Sequence, residues 1–431
     1  MSKTSTHEKF STGYKQTSLG PLPNTWEAVL LGELFVFKNG LNKAKRFFGS
    51  GTPIVNYMDV FERPGLRSDD LSGRVSLTHE EIRNYEVQKG DVFFTRTSET
   101  VEEIGVASVM LYEPRDTVFS GFVLRARPRD ERLNDNYKRY CFANRVVRSQ
   151  IISNATYTTR ALTNGRTLST VWIAVPPISE QRAIAKTLSD VDGLINALDV
   201  LIAKKRAIKQ ATMQQLLTGR TRLPGFRGAW ETKRLAGIAS FFKGSGLSKT
   251  DLSLNGKRRC IHYGELFTTY AERITEVLHG TDRDGKFFLS LSNDVLMPGS
   301  DVTPNGLATA SCISASDVIL GGDILVIRVP ADVLNGAFLA YAIKMNHNQV
   351  MQLVSGTTVY HLYARDMANF SFLVPSVPEQ NAIVHVLSDM EAEIAALEQR
   401  RDKTRAIKQG MMQQLLTGRV RLFESKDVNK T

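Results

Sequence analysis

Two stretches of this chain gather arginine, lysine, threonine, serine, tyrosine and histidine at their turns. In the first, Lys43, Lys45 and Arg46 precede a Gly-Ser-Gly turn, Arg96, Thr97 and Ser98 follow a strand-like run, and Tyr157, Thr158, Thr159 and Arg160 fill a loop before the last strand-like run. In the second, Lys243, Ser245, Lys249, Lys257, Arg258 and Arg259 take similar places, with Thr357, Thr358, Val359, Tyr360 and His361 before the last run. Such side chains on loops bind phosphate oxygens and read base edges; taken singly, each is also an ordinary solvated residue. The formal net charge of +11, with a pI near 9.5, is spread along the 431 residues and is not gathered in a tail. A polyanionic partner is the first expectation.

Catalytic chemistry is harder to find. Phe242-Lys243-Gly244-Ser245-Gly246 matches FxGxG, the pattern of the methyl-donor loop in adenine methyltransferases. No Asn-Pro-Pro or Asp-Pro-Pro run accompanies it to hold a flipped base, and the matching first-half run, Phe37-Lys38-Asn39-Gly40, lacks the glycines, so a glycine-rich turn is the reading. No GxxxxGKS or GxxxxGKT phosphate loop is present. His7, His79, His262, His279, His347, His361 and His385 show no metal-ligand spacing, and the acidic residues form no evident nuclease cluster. Cys141, Cys260 and Cys312 are far apart, so neither a disulfide framework nor a zinc ribbon is expected and a reducing, cytoplasmic setting fits. The opening residues are polar and no stretch approaches the roughly 18 apolar residues of a membrane helix. The chain reads as a non-catalytic component, neither exported nor embedded, that binds no metal or cofactor itself.

What must position these loops is a frame written twice. Arg206–Leu223, RAIKQATMQQLLTGRTRL, recurs as Arg405–Leu422, RAIKQGMMQQLLTGRVRL. Extended upstream to Glu180-Gln181 and Glu379-Gln380, roughly 26 of about 45 aligned positions are identical, which makes the protein a tandem duplication. Leu188, Val191, Ile195, Leu198 and Ile202 alternate spacings of three and four, and Leu387, Met390, Ile394 and Leu397 repeat that seam. This is the heptad mark of helices that pack along one another. Ser179 is the expected N-cap of the first helix, Thr218-Gly219 and Thr417-Gly418 mark the two exits, and Gly193 is a point where the first helix could bend. Two near-identical helices in one chain are natural partners, which predicts an antiparallel coiled coil.

Between the copies, Trp26–Val175 and Trp230–Val374 share only landmarks, Phe37-Lys38 against Phe242-Lys243 and Tyr57 against Tyr263. Strands are expected at Ala28–Val36, Asp91–Thr95, Gly105–Leu111, Phe119–Arg125, Val318–Leu320 and Asp323–Val329, with a helix-like run at Ala337–Val354. The fold class is therefore α+β, two variable domains in a pseudo-twofold tandem repeat separated by two long constant helices. The boundaries that follow are an arm at 1–21, a first domain at 22–178, a central helix at 179–220, a second domain at 221–377, a distal helix at 378–420 and a tail at 421–431.

This layout, with PPISEQRAIAKTLSDVDGLI and PSVPEQNAIVHVLSDMEAEI opening the two helices and Gln-Leu-Leu-Thr-Gly closing both, resembles the DNA specificity subunit of type I restriction-modification systems over nearly the whole chain. The resemblance implies that each variable domain is a target recognition domain reading one half of a split double-stranded DNA target, while the helices set the interval and dock two modification (methyltransferase) subunits. It further implies S-adenosylmethionine on those subunits and ATP on restriction subunits with motor and nuclease activity. Residues before the last strand of each domain, Tyr157 to Arg160 and Val359 to His361, are the first candidates for base contact; Thr163–Arg166 and Leu362–Arg365 differ so much that alignment there is open. Two other readings compete: an adaptor whose tandem domains bind protein ligands, and a self-sufficient methyltransferase, which the missing Asn-Pro-Pro run disfavours.

Overall fold

The computed structural model describes residues 13–157 and 159–422. The chain forms two compact units, one of Met1–Leu198 with Arg400–Thr431, the other of Asp199–Gln399.

In the first unit a five-stranded sheet holds β1 (Phe35–Asn39), β2 (Gly65–Leu66), β3 (Val92–Thr95), β4 (Ala107–Met110) and β5 (Val123–Pro128) in the order β1-β5-β3-β4-β2. All neighbours are antiparallel except β4 and β2. β3 reads Val-Phe-Phe-Thr and is buried throughout, as a continuous apolar run demands when both faces are covered. Val92 and Phe94 pack with Tyr137, Tyr140, Val147 and Ile151 of two helices, Asp135–Cys141 and Arg145–Ser153, while Phe93 faces Val60, Phe119 and Val123 on the other side. The run Ala28–Val36, expected as one strand, is three pieces. Glu27–Leu30 pairs with Trp172–Val175, Leu31–Leu34 is a helical turn, and β1 follows.

The second unit repeats the plan with β6 (Ser240–Lys243), β7 (Arg273–Ile274), β8 (Val295–Pro298), β9 (Ser311–Ile313) and β10 (Ile324–Arg328) in the order β6-β10-β8-β9-β7. Again only the last pair is parallel. Glu231–Arg234 pairs with Ser371–Val374 as the counterpart of the first unit's closing ribbon. The helix-like run at Ala337–Val354 is two helices, Gly336–Met345 and His347–Leu353, broken at Asn346. Arg127 of β5 grips Asp91 at 2.9 and 2.8 Å, and Arg328 of β10 grips Asp294 at 2.8 and 2.7 Å. With those arginines equated, Leu124 lies opposite Asn39 and Leu325 opposite Lys243. The structural partner of Lys243 is therefore Asn39 and that of Phe242 is Lys38, one residue off the sequence landmark, because two adjacent Phe-Lys pairs outweigh register when side chains alone are compared.

Two long helices complete both units: α1 (Ile178–Leu217) and α2 (Val377–Leu415). α1 begins one residue before Ser179, which therefore sits inside its first turn; the Pro177 carbonyl accepts from the Gln181 N–H instead. Gly193 is passed without interruption. Leu188, Ile195, Leu198 and Ile202 of α1 and Leu387 and Ile394 of α2 are buried, while Val191, Met390 and Leu397 are half-buried. Within the first unit Lys408 of α2 meets Asp192 of α1 at 2.6 Å, and Arg421 meets Glu180. Within the second, Lys209 of α1 meets Glu391 of α2 at 2.6 Å, and Arg222 meets Glu379. Partner numbers rise on one helix as they fall on the other, so the helices run antiparallel.

The repeated Glu-Gln pair has a mechanical explanation in these contacts. Gln181 is fully buried; its amide donates to the carbonyls of Pro176 and Arg132 and its Oε1 accepts from Asn134 N–H, each at 2.8 Å. Gln380 does the same for Pro375, Val333 and Asn335. The repeated glycine exits seat on tryptophans. Gly418, at φ +70°, lies against Trp26, and Gly219, at φ +68°, against Trp230. The left-handed backbone at both exits is what glycine is needed for. Among the described residues no helix is long and apolar enough to cross a membrane.

Candidate nucleic-acid interface

In the first unit the strand Thr97–Ser98 pairs with Ala161–Leu162, which pairs in turn with Thr156–Tyr157. This small sheet brings together Arg96, Thr97, Ser98, Tyr157 and Arg160. It lines a cleft of about 550 Å3 with the helix Tyr57–Glu62 and the turn at Phe122. Tyr57 and Phe61 stack at 5.8 Å, and Met58 and Phe122 expose apolar surface. Arg160 Nη2 stands 3.7 Å from Glu99 Oε1, with both side chains in solvent. Ser98 is buried and its hydroxyl donates to Glu103, so it holds the loop and does not face outward. Thr158 lies outside the described residues.

Not every predicted cation is free. Lys43 donates to both oxygens of Glu81, at 2.8 and 2.6 Å, and Glu81 in turn caps the helix His79–Asn84 through Thr78. That ammonium is committed to the fold by a carboxylate 38 positions away, which loop composition could not show. Lys45 and Arg46 lie exposed on the turn Lys45–Phe47, outside the residues lining the cleft.

In the second unit Ser300–Asp301 pairs with Tyr360–His361, and Ser355 bridges to His361. Lys243 Nζ is 3.0 Å from Asp323 Oδ1, and Ser300 Oγ donates to Asp323 Oδ2 at 3.3 Å, so Lys243, Tyr360 and His361 share one edge. His361 stacks on Tyr363 at 5.7 Å, and Arg365 covers that tyrosine. Burial lowers the pKa of the nearby His262 imidazole, with Lys249 adding to the effect and the carboxylates of Glu265 and Asp323 opposing it. Ser245 accepts from Phe288 N–H, Lys249 is exposed on the turn Lys249–Asp251, and Thr358 is exposed in its loop. Arg258 and Arg259, on the strand Arg258–Ile261, donate to Gly285 and Leu278 carbonyls while keeping their side chains exposed. Residues the sequence reading did not single out are Glu99, Phe122, Ser300, Asp301, Val302 and Asp323. Pro298-Gly299-Ser300-Asp301, closing an apolar run, is the signal that could have pointed to three of them.

The two edges share one backbone. Thr163 N–H donates to Arg96 O and Leu362 N–H to Gly299 O, which equates these positions and fixes the open alignment. Leu162 corresponds to His361, Arg160 to Val359, Thr97 to Ser300, Ser98 to Asp301, Glu99 to Val302 and Phe122 to Asp323. The helices Gly165–Ser169 and Ala364–Met367 follow in step.

With this geometry in hand, comparison with known proteins gives a consistent answer. Residues 23–205 and 228–405 each match the family model described as type I restriction modification DNA specificity domain. A curated relative from Methanocaldococcus jannaschii, the type I restriction enzyme MjaVIII specificity subunit, is 20% identical over 93% of this chain and 94% of its own. A second from that organism, provisionally described as the MjaX specificity subunit, is 22% identical over 95% of this chain and 97% of its own. The crystal structure of the type I restriction-modification S subunit from M. genitalium aligns with TM-score 0.55 at 15% identity, covering 91% of this chain and 96% of that one. A chain from a type I R-M structure describing complex assembly and conformational transition aligns with TM-score 0.58 at 16% identity, covering 93% and 99%. The adaptor reading finds no support in these matches. Two specificity domains, each completed by half of both long helices, place the chain in the family of type I restriction-modification specificity subunits.

Proposed function

We propose that this specificity subunit reads a two-part target in duplex DNA, the first unit reading one part and the second unit the other. The observation that carries this is the pair of matched edges, one backbone bearing exchanged side chains at six equivalent positions. A frame that holds its register while Arg, Glu, Phe, Thr, Ser and Leu become Val, Val, Asp, Ser, Asp and His suits readers of different base sequences.

The continuous helices, α1 being roughly 60 Å long, are of a length to fix half-sites about one duplex turn, roughly 34 Å, apart. Leu194, Leu201 and Ile208 recur every seven residues on α1 and are all exposed, and such a stripe supports docking by partner proteins, for which two modification subunits are our assignment. S-adenosylmethionine then belongs to those subunits and ATP to restriction subunits, this chain supplying specificity without catalysis, on cytoplasmic DNA.

The test is co-expression with the modification subunits followed by single-molecule methylation mapping. A split adenine-methylation motif that changes in one half when loop residues 157–160 are altered is the expected result. A stable complex that methylates no split motif would refute the reading.

A further inference from the structure

The exchange at two of the equivalent positions is chemically matched. Glu99 and Arg160 flank the small sheet of the first unit, following Ser98 and preceding Ala161. Val302 and Val359 take those places in the second, following Asp301 and preceding Tyr360. A facing pair of opposite charges has become a pair of valines. Nothing structural requires either pair. The Arg160 and Glu99 side chains are 62% and 85% exposed, and Val302 and Val359 are 72% and 43% exposed. Exposed valines at loop positions contribute nothing to a core, and an exposed ion pair contributes little to stability.

The surroundings of Arg160 also argue against a phosphate. A carboxylate stands 3.7 Å from its guanidinium, Glu103 lines the same cleft, and the remaining walls are Tyr57, Met58, Phe61 and Phe122. A phosphate brought there would meet acidic groups and apolar rings. The major-groove edge of a G·C pair would not. Guanine presents the acceptors N7 and O6, which an arginine fork matches, and cytosine presents its N4 amino donor, which a carboxylate accepts. A valine pair can form neither bond but can pack against the C5-methyl group that marks thymine.

Resting on the reading above, we propose that these two positions are a base-pair selector: Glu99 with Arg160 recognises the edge of a G·C pair in one half of the target, and Val302 with Val359 recognises a thymine methyl in the other. Arg160 donates to guanine, Glu99 accepts from the paired cytosine, and Phe122 and Met58 cover the neighbouring step.

The experiment compares methylation of a randomised duplex library by the full complex with modification subunits, carrying the natural chain, Arg160→Gln, Glu99→Ala, or the double change V302E/V359R. All four positions are exposed, so assembly serves as the folding control. Arg160→Gln and Glu99→Ala are expected to weaken preference at one and the same G·C position, on the order of 10- to 100-fold for the arginine, leaving the other half and the interval unchanged. The double change is expected to convert one A·T position of the other half to G·C. An unchanged motif in Arg160→Gln would overturn the selector while leaving the split-target reading intact. A uniform loss over all sequences with a shallower salt dependence would do the same, by marking Arg160 as a phosphate contact. Absence of any split motif for the natural chain would instead remove the reading on which the selector rests.

Discussion

Arg421 closes on Glu180 with two hydrogen bonds, 2.5 Å from Nε to Oε1 and 2.7 Å from Nη2 to Oε2, joining the last turn of the second repeat to the first turn of the first. Arg222 closes on Glu379 at 2.5 and 2.6 Å in the reciprocal sense. Each repeated carboxylate is thus held by the arginine of the other copy. Both glutamates are buried, so each arginine neutralises a charge that water cannot reach.

Removing one arginine leaves that charge buried and alone. Arg421→Ala is expected to lower the stability of the first unit by about 3 kcal/mol, read from denaturant midpoints, whereas Glu180→Gln with Arg421 intact should cost less. Equal losses in the two variants would show that the carboxylate is hydrated after all.

The two tryptophans under the helix exits are not equivalent. Trp26 Nε1 donates to Glu180 Oε2 at 2.8 Å, while the Trp230 Nε1 is buried without an acceptor. Trp26→Phe should therefore destabilise by about 2 kcal/mol through loss of a charge-assisted bond, and Trp230→Phe by less than about 1 kcal/mol. A larger loss at Trp230, measured by thermal unfolding, would contradict the assignment.

Lys43 tests the distinction between a cation that binds DNA and one that holds the fold. The Lys43 ammonium first, and the Thr78 N–H second, hold the Glu81 carboxyl below its ordinary 4.5. With the folded value lower than the unfolded one, the unfolded chain binds more protons between them. The contribution is therefore complete above pH 4.5 and lost as pH falls through the folded value. Lys43→Met should be less stable than the natural chain at pH 7 and converge with it in acid. Its DNA affinity should keep the natural salt slope, whereas Lys45→Ala or Arg46→Ala, by removing a cation that neutralises one phosphate, should reduce that slope by about 0.9.

The glycine pattern that imitates a methyl-donor loop is explained by backbone approach. A Cβ on Gly244 would stand 2.0 Å from the Gly321 carbonyl oxygen, and one on Gly40 2.1 Å from that of Ser120. Gly244→Ala is accordingly expected to cost about 3 kcal/mol or more by separating the end of β6 from its neighbour. Normal melting of that variant would reopen the question of what the glycines are for.

Much of this architecture was legible because duplication writes it twice. The seam from Leu188 to Ile202, the exits at Gly219 and Gly418 and the α+β pattern all follow from periodicity and punctuation. The cross-pairing of Glu180 with Arg421 was not, since a repeat shows which residues recur but not which copy each one meets. Loop chemistry was legible only as composition. Lys43 and Ser98 looked like Arg160 on paper, yet distant partners, Glu81 and Glu103, occupy them. Asp323 and Val302 were missed for the opposite reason: an acid and an aliphatic carry no sign of nucleic-acid contact until the backbone sets them beside Lys243 or in the place of Glu99.

The division of the helices between units has a consequence for synthesis on the ribosome. The second unit is a single contiguous segment, Asp199–Gln399, and has every partner it needs once that segment has emerged. The first unit, although translated earlier, lacks Leu415 and Leu416 from its apolar core, and Arg421 for Glu180, until the final residues are made. The part of the nascent chain that appears first is thus the last that can be completed. Its unfinished core is the surface that would need shielding while translation continues.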